Sequence, residues 1–269
     1  MSFELEVSLS ACGGVPLDEA LRELVDAGVR RVELAIGPRW TDCSLDALRR
    51  ARREGVSFAG HHAFPCGGRA RPFNLCDRID VGAHERRMDL LAELGASRYS
   101  VHAGAYEPGH EAAAFERFVE GFGTLTELAS ARGVSVGIET MYPRRALGPR
   151  YLADDGPSVQ ALAQALPAVP WVPDLAHVGL WPKQTRAASL ASLRALPLLE
   201  VHASDNDSVH DSHTAITERT WWLGAEGSLD PRAPRVLETR LFRPDASSVR
   251  RELLRVSALR VQLRLRCAC

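Results

Sequence analysis

The chain has 269 residues, 45% of them hydrophobic, and a formal net charge of −1. That length fits one large α/β barrel or two small domains and suffices to bury a sizeable core. Near-zero charge argues against a surface built to coat a polyanion, though not against a local basic patch, and with no apolar run near the roughly 20 residues that span a bilayer and no leader visible at Met1–Ser10, a cytoplasmic protein that does not insert in membranes is expected.

Short β-branched or apolar runs alternate with longer helical patterns. Strands are predicted at Glu4–Leu9, Arg31–Ala35, Ser57–His61, Arg98–His102, Ser135–Glu139, Trp171–Asp174, Leu198–His202 and Val236–Thr239. Amphipathic segments between them cover Leu17–Ala27, Ser44–Arg53, Ile79–Leu94, Ala112–Arg132, Ser158–Leu166 and Ser189–Leu196, with a last helix at Ser247–Arg260. Gly28, Gly55, Gly95 and Gly133 each close a helical pattern just before a strand, the expected C-terminal stop. Eight strands, each followed by a helix or long loop, indicate a (β/α)8 barrel in the α/β class. The competing open sheet would carry a Gly-rich fingerprint after its first strand, and Cys12-Gly13-Gly14 is too short for one. No linker or repeat divides the chain, so residues 1–269 read as one domain with a basic helix and tail from about residue 247. The stretch Arg219–Arg235, with Trp221 and Trp222, reads as a long active-face loop whose indoles either cover a ligand or pack under the loop.

Among 33 basic residues the only lysine is Lys183. It is therefore the only candidate for Schiff-base chemistry, and no Gly-Lys-Ser/Thr phosphate loop exists. The cysteines, at positions 12, 43, 66, 76, 267 and 269, form no Cys-x-x-Cys, consistent with a reduced compartment. Cys267 and Cys269 read as incidental thiols on a frayed tail.

Barrel enzymes place their chemistry at the C-terminal ends of the strands. The third strand ends in His61-His62, the fourth in His102, the fifth in Glu139 and the sixth in Asp174, with His177 beyond it. The seventh ends in His202, followed by Asp205 and then Asp211-Ser212-His213, and the eighth in Glu238. A single such residue is more often structural or solvated. Six strands ending this way differ, because carboxylates and histidines crowded at one rim repel and desolvate one another unless cations or protons compensate. A divalent metal cluster resolves that cost. Imidazole with carboxylate suits Zn, Mn, Fe or Co better than Mg. Side chains alternate across a strand, so only one of His61 and His62 faces the axis; the spacing to Phe64 favours His61.

The phrases His61-His62-Ala63-Phe64-Pro65, Asn74-Leu75, Val101-His102-Ala103-Gly104, Ile138-Glu139-Thr140-Met141, Asp174-Leu175-Ala176-His177, His202-Ala203-Ser204-Asp205 and Asp211-Ser212-His213 resemble the xylose isomerase-like TIM barrels, from Val32-Glu33-Leu34 to Glu238. That superfamily includes sugar isomerases and epimerases and the DNA-repair enzyme endonuclease IV. The resemblance implies a single-metal quartet of Glu139, Asp174, His202 and Glu238, as in the isomerases and epimerases. It also implies the further ligands His61 or His62, His102, His177, Asp211 and His213, which match positions where endonuclease IV holds additional zincs. The loops lean away from DNA repair: the sixth strand is followed by Ala176-His177-Val178-Gly179-Leu180-Trp181-Pro182 and the fifth by Thr140-Met141-Tyr142-Pro143.

The function expected from the resemblance is a metal-dependent isomerase or epimerase of a small sugar or sugar phosphate, working through an enediolate. Glu139 and Glu238 would move the proton and His177 would orient a hydroxyl. His102, Arg144, Arg145 and Trp181 would contact substrate, the arginines (with Arg150) binding a phosphate or carboxylate unless they are only a solvated loop. The alternative is an endonuclease IV-like phosphodiester hydrolase acting on abasic DNA. Arg39-Trp40, Arg69 and Arg71 lie on rim loops that could serve it, but Asp42, Asp77 and Asp80 share those loops. The cluster Arg250, Arg251, Arg255, Arg260, Arg264 and Arg266 lies on an outer helix and reads as a solvated face. A small-molecule partner is therefore expected rather than nucleic acid, and the sequence leaves a homo-oligomer open.

Overall fold

The structure, a computed structural model, describes residues 5–62, 64–65, 73–144, 148–223, 225, 229–241 and 245–267, with side chains described as far as residue 259. Eight parallel strands ring one axis: β1 (Leu5–Ser8), β2 (Arg31–Leu34), β3 (Ser57–His61), β4 (Arg98–His102), β5 (Ser135–Glu139), β6 (Trp171–Val172), β7 (Val201–Ala203) and β8 (Arg235–Leu237). Their order is β6-β5-β4-β3-β2-β1-β8-β7. The seam between β6 and β7 is closed by isolated bridges, Trp171 with Leu198 and Asp174 with His202. The expected barrel is therefore the observed fold.

Around it lie α1 (Leu17–Asp26), α2 (Ser44–Arg53), α3 (Val81–Glu93), α4 (Glu111–Ser130), α5 (Gly156–Ala165), α6 (Leu175–Gly179), α7 (Arg186–Leu193) and α8 (Ala246–Cys267). Helix α1 shows why. Its Leu17, Ala20, Leu21 and Leu24 are buried at helical spacing, with acidic Asp18 and Glu19 in the first turn, where they complement the helix dipole. On the strands the pattern changes to alternation. Val32 and Leu34 join the apolar layer under the helices, while Glu33 between them is buried against a histidine inside the barrel.

Several elements differ from the sequence reading, three of the helices among them. Helix α6 was not expected. It is one short turn set directly on a strand end, started by Asp174, whose carboxylate accepts the His177 backbone N–H at 2.8 Å. Helix α5 begins earlier than Ser158 because Asp155 caps it by accepting the Ser158 N–H at 2.8 Å. Helix α8 runs past Arg260 to Cys267, so Cys267 is helical rather than frayed; Cys269 lies outside the described residues. Of its arginines, Arg250 reaches the Asp26 carbonyl, Arg251 the Ser247 hydroxyl and Arg255 the Glu252 carboxylate.

Two rim features set the walls of the site. Asn74 splices the segment after β3 to the end of β4: its Oδ1 accepts from the Cys76 and Ala105 N–H groups, and its Nδ2 donates to the Ala105 carbonyl at 2.7 Å. Gly104, in left-handed conformation at φ 82°, allows that approach, since a Cβ there would sit 2.6 Å from Cys76 Sγ. A small antiparallel ribbon, Ala105–Tyr106 with Arg150–Tyr151, ties the loops after β4 and β5 together.

His84, on α3, lies edge-on to Phe73 at 4.2 Å and is buried. Burial, helped by the Arg87 cation, pulls its pKa down to about 4 from 6.5. The unfolded imidazole takes a proton below 6.5 and the folded one does not until about 4, so stability is full above that window and falls as pH drops through it. Urea midpoints measured between pH 7 and pH 4 should show this fall, and His84→Leu should lessen it, His62 and His102 being lowered in the same way.

Candidate metal centre

The parallel register sets the strand-end residues at one height. His102 pairs with Glu139 across β4 and β5, and Asp174 bridges His202 across the seam. Glu139, Asp174, His202 and Glu238 are all buried, and one donor atom from each lies within 4.8 Å of the others. His202 Nδ1 lies 3.6 Å from Glu139 Oε1 and 3.5 Å from Glu238 Oε2, separations that suit ligands held at about 2.0–2.2 Å from one ion. Asp174 Oδ2 and His202 Nδ1 are buried without a hydrogen-bond partner. Orphaned donors aimed into one acidic, histidine-bearing space are what a divalent ion would satisfy, and the four residues fit one.

Two further groups adjoin the quartet. His61 Nε2 lies 2.8 Å and His102 Nε2 3.5 Å from Glu139 Oε2, so these three also converge. Of the adjacent pair, His61 is thus the residue that reaches the axis. His62 stacks flat on His102 at 4.2 Å and meets Phe73. The other group is His177, Asp211 and His213. His177 Nδ1 donates to the Thr140 carbonyl at 2.7 Å, which leaves Nε2, 3.3 Å from Asp211 Oδ2, as the atom facing the site. His213 Nε2 lies 3.2 Å from the same oxygen.

The protonation state of the metal-free site shows its appetite for positive charge. Burial disfavours cationic imidazoles and prevails at His102, whose pKa falls to about 4, and at His62, but carboxylates overcome it elsewhere: the His61 pKa rises to about 9 and so does that of His213. His177 and His202 are also held above their ordinary value. Burial pushes Glu139 up, but His102, His61 and His202 outweigh it and keep it ionised. Asp174 is driven up to about 7 by burial. Protons thus occupy groups whose other natural partner is a metal ion, and metal binding would release them.

Beneath the quartet lies a second layer that the sequence reading missed. His202 Nε2 faces down, 3.2 Å from Glu33 Oε2 and 3.6 Å from Glu200 Oε1. Arg98 donates to Glu200 at 2.9 Å and also pairs with Glu6. Burial raises the Glu6 pKa to about 8, against the lowering effect of Arg98. The available signal was a charged residue inside a strand flanked by apolar ones, as in Val32-Glu33-Leu34.

The residues expected to touch substrate separate. His102 stands at the cluster. Arg144 is exposed on the rim, stacked over Tyr151 at 4.7 Å with a 2.7 Å hydrogen bond to its hydroxyl. Tyr142 lies between that pair and His177, 4.9 Å from the imidazole. Arg145 lies outside the described residues, as do Arg69 and Arg71. Trp181 does not line the rim: it is buried, its indole N–H on the Met141 carbonyl. Trp222 is likewise buried, bonded to the Ser204 carbonyl, while the half-buried Trp221 packs beneath the Arg186 guanidinium of α7. Arg39 reaches back to the Gly14 carbonyl. Among the described residues, no helix is long and apolar enough to cross a membrane.

A family model described as xylose isomerase-like TIM barrel matches residues 21–233. No curated protein matches the chain. Among solved structures, a D-tagatose 3-epimerase-like protein superposes with a TM-score of 0.74 at 16% identity, covering 98% of this chain and 100% of its own. An L-ribulose 3-epimerase gives 0.71 at 12% identity over 99% and 97% of the two chains. A xylose isomerase domain protein from Alicyclobacillus acidocaldarius gives 0.71 at 17% identity over 98% and 100%. At these identities the likeness is one of fold.

Proposed function

The chain belongs to the xylose isomerase-like TIM barrel family, and on that premise we propose that it is a metal-dependent isomerase or epimerase of a small sugar or sugar-phosphate-like substrate. The observation that carries the reading is the quartet of Glu139, Asp174, His202 and Glu238, three carboxylates and an imidazole converging within 4.8 Å at the barrel rim. The epimerases among the structural neighbours support it.

The quartet would hold one divalent ion, Zn, Mn, Fe or Co, which when bound supplies Lewis-acid polarisation of a carbonyl and its neighbouring hydroxyl. The remaining work falls to the chain. Glu139, at the end of β5, and Glu238, just after β8, stand three strands apart around the ring. One takes the proton from the carbon beside the carbonyl, giving an enediolate, and it or the other returns the proton. Ser10 donates to Glu238 Oε1 at 3.1 Å and steadies that carboxylate. His177, fixed by the Thr140 carbonyl, presents Nε2 to a substrate hydroxyl. Arg144 would meet a phosphate or carboxylate at the far end of the substrate.

A second reading, an endonuclease IV-like phosphodiester hydrolase, is favoured by one observation: the groups His61–His102–Glu139 and His177–Asp211–His213 provide ligand sets beside the quartet. Metal content per chain, measured with proton exchange into ketohexoses in deuterated water and with cleavage of abasic DNA, separates the two. One tightly held ion and deuterium at the carbon beside the carbonyl are expected, both abolished by chelation. Three zinc ions with strand cleavage and no sugar exchange would replace the first reading with the second.

A further inference from the structure

The layer beneath the quartet divides unequally. Glu200 has its own cation, since Arg98 donates to it at 2.9 Å. Glu33 has none of that kind: its Oε2 meets the Ser100 hydroxyl at 3.4 Å and His202 Nε2 at 3.2 Å, and its Oε1 is buried without a partner. Both glutamates and His202 are completely buried, so water does not supply what the protein leaves out. A neutral imidazole has one N–H and one lone pair. For His202 to offer Nδ1 to the quartet, its proton must sit on Nε2; the acceptor nearest Nε2 is Glu33, at 3.2 Å but out of line for a hydrogen bond, so a small rotation of either side chain completes the pair.

We infer that Glu33 is a positioning residue that fixes the tautomer of His202 and raises its donor strength, and so sets the metal affinity of the quartet. Glu200, already compensated by Arg98, serves the fold rather than the ligand. The inference rests on the quartet's being a metal site. It adds that the carboxylate partner of the histidine is delivered from β2, which contributes no member of the quartet. An outer carboxylate of this kind orients the imidazole and makes it a stronger ligand, and losing it weakens metal binding by about 10- to 100-fold.

The test uses the full chain stripped of metal. Zinc affinity is measured by competition with a chromogenic chelator, and the visible spectrum is recorded after cobalt loading, for the wild type, Glu33→Gln, Glu33→Ala and Glu200→Gln. Glu33→Gln is expected to weaken zinc binding about 10-fold and Glu33→Ala about 100-fold, both with an altered cobalt spectrum. The metal-free Glu33→Gln protein should melt no lower than the wild type, because an uncompensated buried carboxylate has been removed. Glu200→Gln should keep zinc affinity within about 3-fold, whatever it does to melting. Glu33→Gln with wild-type affinity and spectrum, or Glu200→Gln losing as much affinity as Glu33→Gln, would overturn the assignment of Glu33 alone. A wild type that binds neither zinc nor cobalt would overturn the metal centre itself.

Discussion

Replacing Glu139 by Gln is expected to lower turnover by at least about 10³-fold and to reduce the metal retained after dialysis, with the barrel still folded. General acid–base catalysis alone is worth about 10²–10⁴-fold, and in the proposed reaction this residue would hold the metal as well as move a proton. Glu139 belongs to two of the convergent groups at once. Its two oxygens meet four histidines: His61 at 2.8 Å, His177 at 3.4 Å, His102 at 3.5 Å and His202 at 3.6 Å. The amide keeps the shape but loses the charge that holds those rings. Circular dichroism should match the wild type, while metal analysis and kinetics should not. A Glu139→Gln enzyme with turnover within tenfold of the parent and full metal content would remove Glu139 from the chemistry.

The largest loss of stability is expected from Arg98→Met. Arg98 enters the barrel at the first residue of β4 and compensates Glu6 and Glu200, which are buried on β1 and just before β7. Breaking a buried ion pair from one side costs about 3–5 kcal/mol, because the remaining charge stays in a poor solvent. The Arg98 side chain keeps 23% of its exposure, so the lower end, about 3 kcal/mol, applies. Denaturant unfolding of the metal-free chain gives the number. Adding Glu200→Gln to the same chain should recover most of it, since Glu6, held up to about 8 by burial, is already largely neutral at pH 7. A loss under about 1 kcal/mol would mean that water reaches these groups.

The first five barrel strands were legible in the sequence because glycine stops and β-branched runs bound them. β3, β4 and β5 occur at the predicted residues. The later strands were harder. β6 is only Trp171–Val172 because Pro173 ends the ladder and Asp174 starts a helix at once. The strand expected at Leu198–His202 pairs regularly only from Val201, Leu198 making a single bridge. The rim was legible for a chemical reason: histidines and carboxylates crowded at strand ends need cations or protons to compensate them. The lower layer was not, since Glu6, Glu33, Arg98 and Glu200 have meaning only once the ring closes and sets strands 1, 2, 4 and 7 against one another. Trp181 misled because an indole just past a strand end reads as rim, whereas α6 turns it inward to the Met141 carbonyl.

The seam between β6 and β7 has a mechanical consequence. Elsewhere the ring is knitted by regular ladders; here Trp171–Leu198 and Asp174–His202 hold it with single bridges. The lower edge is fastened by backbone alone, but the upper bridge joins two members of the quartet. An ion gripped by both side chains would act as a clasp on the one loosely sewn edge of the barrel. Occupancy and closure would then be a single equilibrium, and the unfilled protein would be expected to open first along this line.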